Sequence, residues 1–251
     1  MKIYFLDNKI IGANIIDYSS EKLPYYPASN IKTSSTKSKW RTDGLHDPYD
    51  WISFDLGQAK PMEYFQALGS NISDDATCSV DGADDDDFSI ELISQELSGK
   101  ELKEGKFLTK ITKRYFRIVV DDASNPDGYI EIGKLNAAEK KTFERHVVTQ
   151  FASKQDDKSL VIETENLVVF SVRKELLKHV AFTLQQLTTT DKQMLEAFIS
   201  EYGLTRSFAV YIESESEGNY ILPNMKFSGM PQIETVAYNN YSVKIDLVEE
   251  K

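Results

Sequence analysis

The chain has one cysteine, Cys78, in 251 residues. No intrachain disulfide can form, so a bridged scaffold is excluded. This points to synthesis in a reducing compartment, or to a lineage that does without bridges. Histidine is scarce: His46, His146 and His179. None has a second His or Cys at metal-ligand spacing, which argues against a zinc site. No G-x-S-x-G elbow, P-loop or G-x-G-x-x-G occurs. Cys78, between Thr77 and Ser79 in a strand-like run, reads as a small core residue rather than a nucleophile. Carboxylates are plentiful, but no spacing singles out two of them as a glycosidase pair. A catalytic role is therefore not expected, and no cofactor is assigned.

Long apolar runs are also missing. Nothing approaches the ~20 residues needed to span a bilayer, and the opening Met1-Lys2-Ile3-Tyr4-Phe5-Leu6 is too short for a signal peptide. The expectation is a protein made in the cytoplasm, without membrane insertion. Basic residues are outnumbered, 29 to 40, for a net charge of −11. That argues against nucleic acid as a partner, since such affinity comes largely from Lys and Arg on phosphates.

What is present is alternation. In Asp50-Trp51-Ile52-Ser53-Phe54-Asp55-Leu56-Gly57, Ile52, Phe54 and Leu56 point one way, and Trp51, Ser53 and Asp55 the other. Gly57 is expected to end this strand, with Pro61 beyond it and a new strand from Met62 to Leu68. Arg114-Tyr115-Phe116-Arg117-Ile118-Val119-Val120 reads as another strand, and Tyr129-Ile130-Glu131-Ile132-Gly133 as a short one. The acidic run 81–87 fails the EF-hand template and reads as a solvated loop tip. Phe88, Ile90 and Leu92 alternate as an edge strand would, and residues 97–106 read as loop.

Composition changes over residues 136–141, giving expected domains 1–137 and 138–251. Apolar runs 160–162 and 167–170 around residues 163–166 suggest a hairpin. One clear helix is expected at about 191–202, with Thr190 as N-cap and Gln193 as its capping-box partner. Met194, Leu195, Phe198, Ile199 and Tyr202 fall on one face, and Gly203 stops it. Strands follow around an acidic turn at 213–219. Tyr241, Val243, Ile245 and Leu247 then line one face of a last strand, suited to a protected sheet edge.

Taken in order, Trp40-Arg41-Thr42, the central strand, Arg114-Tyr115-Phe116-Arg117-Ile118 and Ile130-Glu131-Ile132-Gly133 resemble the discoidin (coagulation-factor C-type) family over about the first 135 residues. The resemblance implies a mainly β chain: a galactose-binding-like jelly-roll sandwich, followed by a smaller β-rich domain with one packed helix. In that family, loops at one end of the barrel meet the ligand, with aromatics stacking on sugar faces. By position this gives Tyr25, Tyr26, Trp40, Arg41, His46 and Tyr49 as candidate ligand-binding residues. The structural alternative places Trp40 and Trp51 in the core and pairs Arg41, Arg114 and Arg117 with Asp55 or other carboxylates. Family members often carry a structural calcium, and Asn30 and Glu131 stand roughly at its places. An Asn where a carboxylate is wanted leaves metal unassigned.

The pattern Pro27-Ala28-Ser29-Asn30 with Trp40-Arg41-Thr42 also resembles discoidin-like domains of tailed-phage virion proteins, and the second half resembles small β domains of tail components. These imply a non-enzymatic tail or baseplate part in the virion. It would be a threefold or sixfold homo-oligomeric ring contacting other tail proteins, with the first domain displayed to cell-surface glycans. The alternative is a free carbohydrate-binding protein, a lectin outside any virion.

Overall fold

A computed structural model describes residues 1–33, 35–157, 160–163, 169–172, 176–214 and 218–250, with backbone alone for 160–163 and 169–172. Residues 164–168 of the expected hairpin, 215–217 of the expected acidic turn, Ser34 and Lys251 lie outside the described residues. The chain is mainly β and divides into two compact units, Phe5–Lys141 and Thr142–Glu250, with Met1–Tyr4 belonging to the second.

The first unit holds β1 (Lys2–Asn8, from Phe5 onward), β2 (Asn14–Tyr18), β3 (Trp40–Arg41), β4 (Asp50–Leu68), β5 (Thr77–Ala83), β6 (Ile93–Ser98), helix α1 (Gly99–Glu104), β7 (Lys106–Asp121), β8 (Glu131–Ile132) and β9 (Lys134–Lys141). Its main antiparallel sheet runs β1-β9-β4-β7-β5-β6, with β2 on β4, while β3 and β8 pair as a second short layer. The core lies between the layers. Ile52, Phe54 and Leu56 of β4 meet Phe116, Ile118 and Val120 of β7, Cys78 and Val80 of β5, and Trp40 and Ile132 from the short layer. The inward face expected of β4 is thus the one buried.

Four expectations for this half are corrected. Gly57 does not end the strand. It takes a positive φ of 76° at a bulge, where pairing jumps from Asp55↔Tyr115 to Lys60↔Lys113, and β4 continues through Pro61 to Leu68. The bulge accommodates glycine for its φ, and Pro61 stands beyond it, opposite Thr112 where the pairing has resumed. Residues 88–92 form no strand. Phe88 and Glu91 have positive φ, Phe88 is buried, and β6 starts at Ile93. Residues 97–106 are not a loop. Ser98 caps α1, with Glu101 returning the bond to the Ser98 N–H. Within the acidic run, Asp81 belongs to β5, is buried and pairs with Arg117.

The second unit holds β10 (Val147–Asp157), β11 (Leu160–Glu163), β12 (Val169–Val172), β13 (Leu176–Leu187), α2 (Thr189–Tyr202), β14 (Phe208–Glu213), β15 (Tyr220–Phe227), β16 (Ile233–Ala237) and β17 (Asn240–Glu249). Strands β10-β13-β17-β15-β14 form an antiparallel sheet, β16 adds to β17, and β11 pairs with β12. Helix α2 buries Leu195, Phe198, Ile199 and Tyr202 of the expected face and leaves Met194 half-buried at its border. Phe198 stacks on Tyr202 at 4.3 Å and meets Phe208 edge-on at 5.0 Å, and Phe208 lies 4.9 Å from Phe227. Gly203 closes α2, its N–H bonding the Ile199 carbonyl at 2.9 Å. Two corrections apply here. The N-cap is Thr188 with Asp191 as partner, not Thr190 with Gln193. Nor is the last strand an edge: β17 pairs with β13 on one side and with β15 and β16 on the other.

Candidate functional site

The short layer of the first unit places Arg41 opposite Glu131 in the β3–β8 register. Arg41 donates from Nε (2.8 Å) and Nη2 to one oxygen of Glu131, and Lys39 Nζ bonds the other. Burial disfavours the Arg41 charge, but hydrogen bonding and attraction from Glu131 outweigh it and hold the guanidinium pKa above its ordinary value. The fork is therefore fixed, and it is clamped between two rings: Tyr26 at 4.0 Å and Tyr129 at 4.3 Å. The loop carrying Tyr129 is itself pinned. Asn71 donates to the Tyr129 carbonyl (2.9 Å) and Asp127 (3.0 Å), and accepts from the Glu131 N–H (2.7 Å). Tyr25, next in the chain to Tyr26, is 79% exposed.

The other candidates fall elsewhere. His46 is held by Asp50, with Nδ1 2.7 Å from a carboxylate that is itself buried and bonded by Ser19. Tyr49 meets Trp51 edge-on at 6.0 Å. Trp40 is a correction. It is 1% exposed, and its Nε1 donates to the Ser20 carbonyl at 2.9 Å, so its ring packs the core and presents nothing to a ligand. The structure thus brings Tyr26 and Arg41 together and leaves Tyr49 in a separate cleft with Trp51. Arg114 is spent on Asp55 in a two-pronged pair at 2.8 Å, which lowers the Asp55 pKa. The sequence reading missed Tyr129. It lies in the loop before β8, and no local pattern tells that Glu131, two residues on, pairs with Arg41.

The calcium implied by the family resemblance does not fit. Both Glu131 oxygens are taken by the chain's own cations, and Asn30 turns its amide nitrogen toward the Lys39 and Tyr25 carbonyls. Cys78 is buried, and burial pushes its thiol pKa up to about 12. At neutral pH it is a thiol, not a thiolate nucleophile.

The sequence matches no protein-family model and no curated protein. Solved structures are similar to about half of the chain. Chitosan-binding module 1 of a chitosanase/glucanase from Paenibacillus sp. IK-5 is 15% identical, with a TM-score of 0.44 over 53% of this chain and 98% of its own. CBM32-3 of a family 31 glycoside hydrolase from Clostridium perfringens is 15% identical, with a TM-score of 0.41 over 53% and 94%. The CBM32 of AlyQ, in complex with 4,5-unsaturated mannuronic acid, is 24% identical, with a TM-score of 0.36 over 49% and 95%.

Proposed function

We propose that the first unit is a non-enzymatic carbohydrate-binding module that grips a glycan at the Tyr25–Tyr26–Arg41–Tyr129 cluster. The observation that carries this reading is the locked aromatic pair beside an exposed tyrosine. Arg41, pinned by Glu131, fixes the orientation of Tyr26 and Tyr129, while Tyr25 stands 79% exposed. Rings held in advance lose little freedom on binding. The C–H face of a pyranose carries partial positive charge, which suits a ring's negative face, and the tyrosine hydroxyls serve sugar hydroxyls. The test is a glycan panel followed by titration calorimetry. Tyr25→Ala and Tyr26→Ala are each expected to weaken binding by about tenfold, the scale of one lost aromatic contact. Failure of the native protein to bind any glycan overturns the reading.

A finer reading adds the setting: a tail or baseplate part of a tailed phage, assembled as a threefold or sixfold ring in the host cytoplasm and carried into the virion. It rests on the sequence resemblance of both halves and on apolar side chains left exposed on the second unit, among them Leu204, Met230, Val236 and Tyr238. Light scattering across a concentration series is expected to show a defined ring. A monomer at every concentration favours the free lectin instead.

A further inference from the structure

A separate cleft of about 150 Å³ lies on the outer face of the first unit's main sheet. It is lined by Asp17 of β2, Tyr49, Trp51 and Ser53 of the β4 region, Asp86, Asp87 and Phe88 of the loop between β5 and β6, and Arg117 of β7. It shares none of the residues of the Tyr26–Arg41–Tyr129 cluster. From this cleft we infer a second binding site, one that takes a primary ammonium group carried on a small polar ligand.

Three features set the chemistry. The first is charge. Arg117 gives Nε and Nη2 to Asp81 at 3.0 and 2.8 Å, and Phe88 covers its guanidinium at 4.5 Å, so the one cation in the wall is neutralised and shielded. Asp17, Asp86 and Asp87 remain, all exposed, with no cation bonded to them among the described residues. An anion is repelled here and a cation attracted. The second is aromatic surface. Tyr49 and Trp51 stand edge to face at 6.0 Å, both half-buried, and Trp51 donates from Nε1 to Asp17 at 3.3 Å. A carboxylate beside an indole favours a cation over the ring.

The third feature is Ser53. It is 98% buried, yet its hydroxyl has no hydrogen-bond partner among the described residues. By strand alternation it shares the Trp51 face of β4, and it lines the cleft. The little exposure it keeps is at the cleft it lines, so its hydroxyl can bond only from that side. It is placed to take a partner from a ligand there: a hydroxyl next to the amine, or the ammonium itself. The volume suits a group no larger than one sugar ring or a short diamine.

The protein supplies its own probe. Of its two tryptophans, Trp40 is buried in the core, so a ligand-induced change in emission reports Trp51. Glucosamine and putrescine are titrated into the full chain, with N-acetylglucosamine as the neutral counterpart. Both amines are expected to shift the emission with saturation, the neutral sugar to do so at least tenfold more weakly, and the affinity to fall with salt. Glucosamine binding without putrescine assigns the site to amino sugars, and the reverse to aliphatic amines. Asp86→Asn, a change at an exposed position without bonded partners, is expected to weaken the amines by about fivefold, and Ser53→Ala by a similar factor. Tyr26→Ala should leave amine binding unchanged, which separates this site from the glycan reading. An emission unmoved by either amine, or moved equally by the acetylated sugar, overturns the inference.

Discussion

Trp40→Ala is expected to lower the stability of the first unit by about 3–5 kcal/mol, the range for deleting a fully buried large aromatic side chain. The indole is 1% exposed and shares a core with Phe54, Ile118 and Ile132. It also stitches the short layer to the chain before it, since Trp40 pairs with Ile132 while its Nε1 bonds the Ser20 carbonyl at 2.9 Å. Truncation leaves a cavity and a carbonyl without its donor. Trp40→Phe keeps most of the ring and loses the hydrogen bond, so about 1–2 kcal/mol is expected. Urea unfolding gives both values, with a lower midpoint at unchanged slope. A loss under about 1 kcal/mol for Trp40→Ala would place the indole outside the core. Because the β3–β8 layer also presents Arg41, the proposed glycan contact should weaken in this variant before the unit unfolds.

Asp191→Ala is expected to cost the second unit about 3 kcal/mol, far more than an ordinary cap. The carboxylate is 1% exposed and accepts from three backbone N–H groups: Thr188 at 3.0 Å, Glu144 at 2.7 Å and Arg145 at 3.3 Å. One residue therefore closes the capping box of α2 and ties down the segment entering β10. Without it, buried donors lose their acceptor and α2, with Phe198 and Tyr202, comes loose from Phe208. Asp191→Asn keeps one acceptor oxygen and should lose about half as much. Thr188→Ala is expected to cost about 1 kcal/mol as a simple N-cap loss, and Thr190→Ala less than about 0.5 kcal/mol. Near-ultraviolet dichroism of the aromatic cluster follows the transition. Equal costs at Thr188 and Thr190 would sink the assignment of the cap.

The contrast between those two threonines shows what could be read from the sequence. Thr188, Thr189 and Thr190 are equivalent as capping chemistry, and Thr190 with Gln193 satisfies the same template as Thr188 with Asp191. What decides between them is that Asp191 also serves Glu144 and Arg145, more than forty positions earlier. No local pattern carries that. The alternation of Ile52, Phe54 and Leu56 was legible because burial of one face imposes period two. Gly57 was misread because a glycine at a bulge and a glycine at a strand end look alike. Phe88 left its apparent alternation to cover Arg117, again a tertiary contact. The capping box at Ser98 and Glu101 was visible but borders a helix of six residues, too short to show periodicity. At the candidate site, the residue types were legible and the partners were not. Arg41 announced a carboxylate without naming Glu131, and Tyr129 entered only through that pair.

Strand β17 is the last of its sheet to be synthesised, and it lies in the middle. As the nascent chain leaves the ribosome, β13 and β15 emerge with bare edges facing a gap that only residues 240–249 can fill. Until then the Phe198–Phe208–Phe227 cluster has a floor that is missing a plank, and two open strand edges invite pairing with a neighbouring copy. The sheet of the second unit is therefore completed only once residues 240–249 are available, and its yield in the cell should depend on how well those edges are kept apart in the interval.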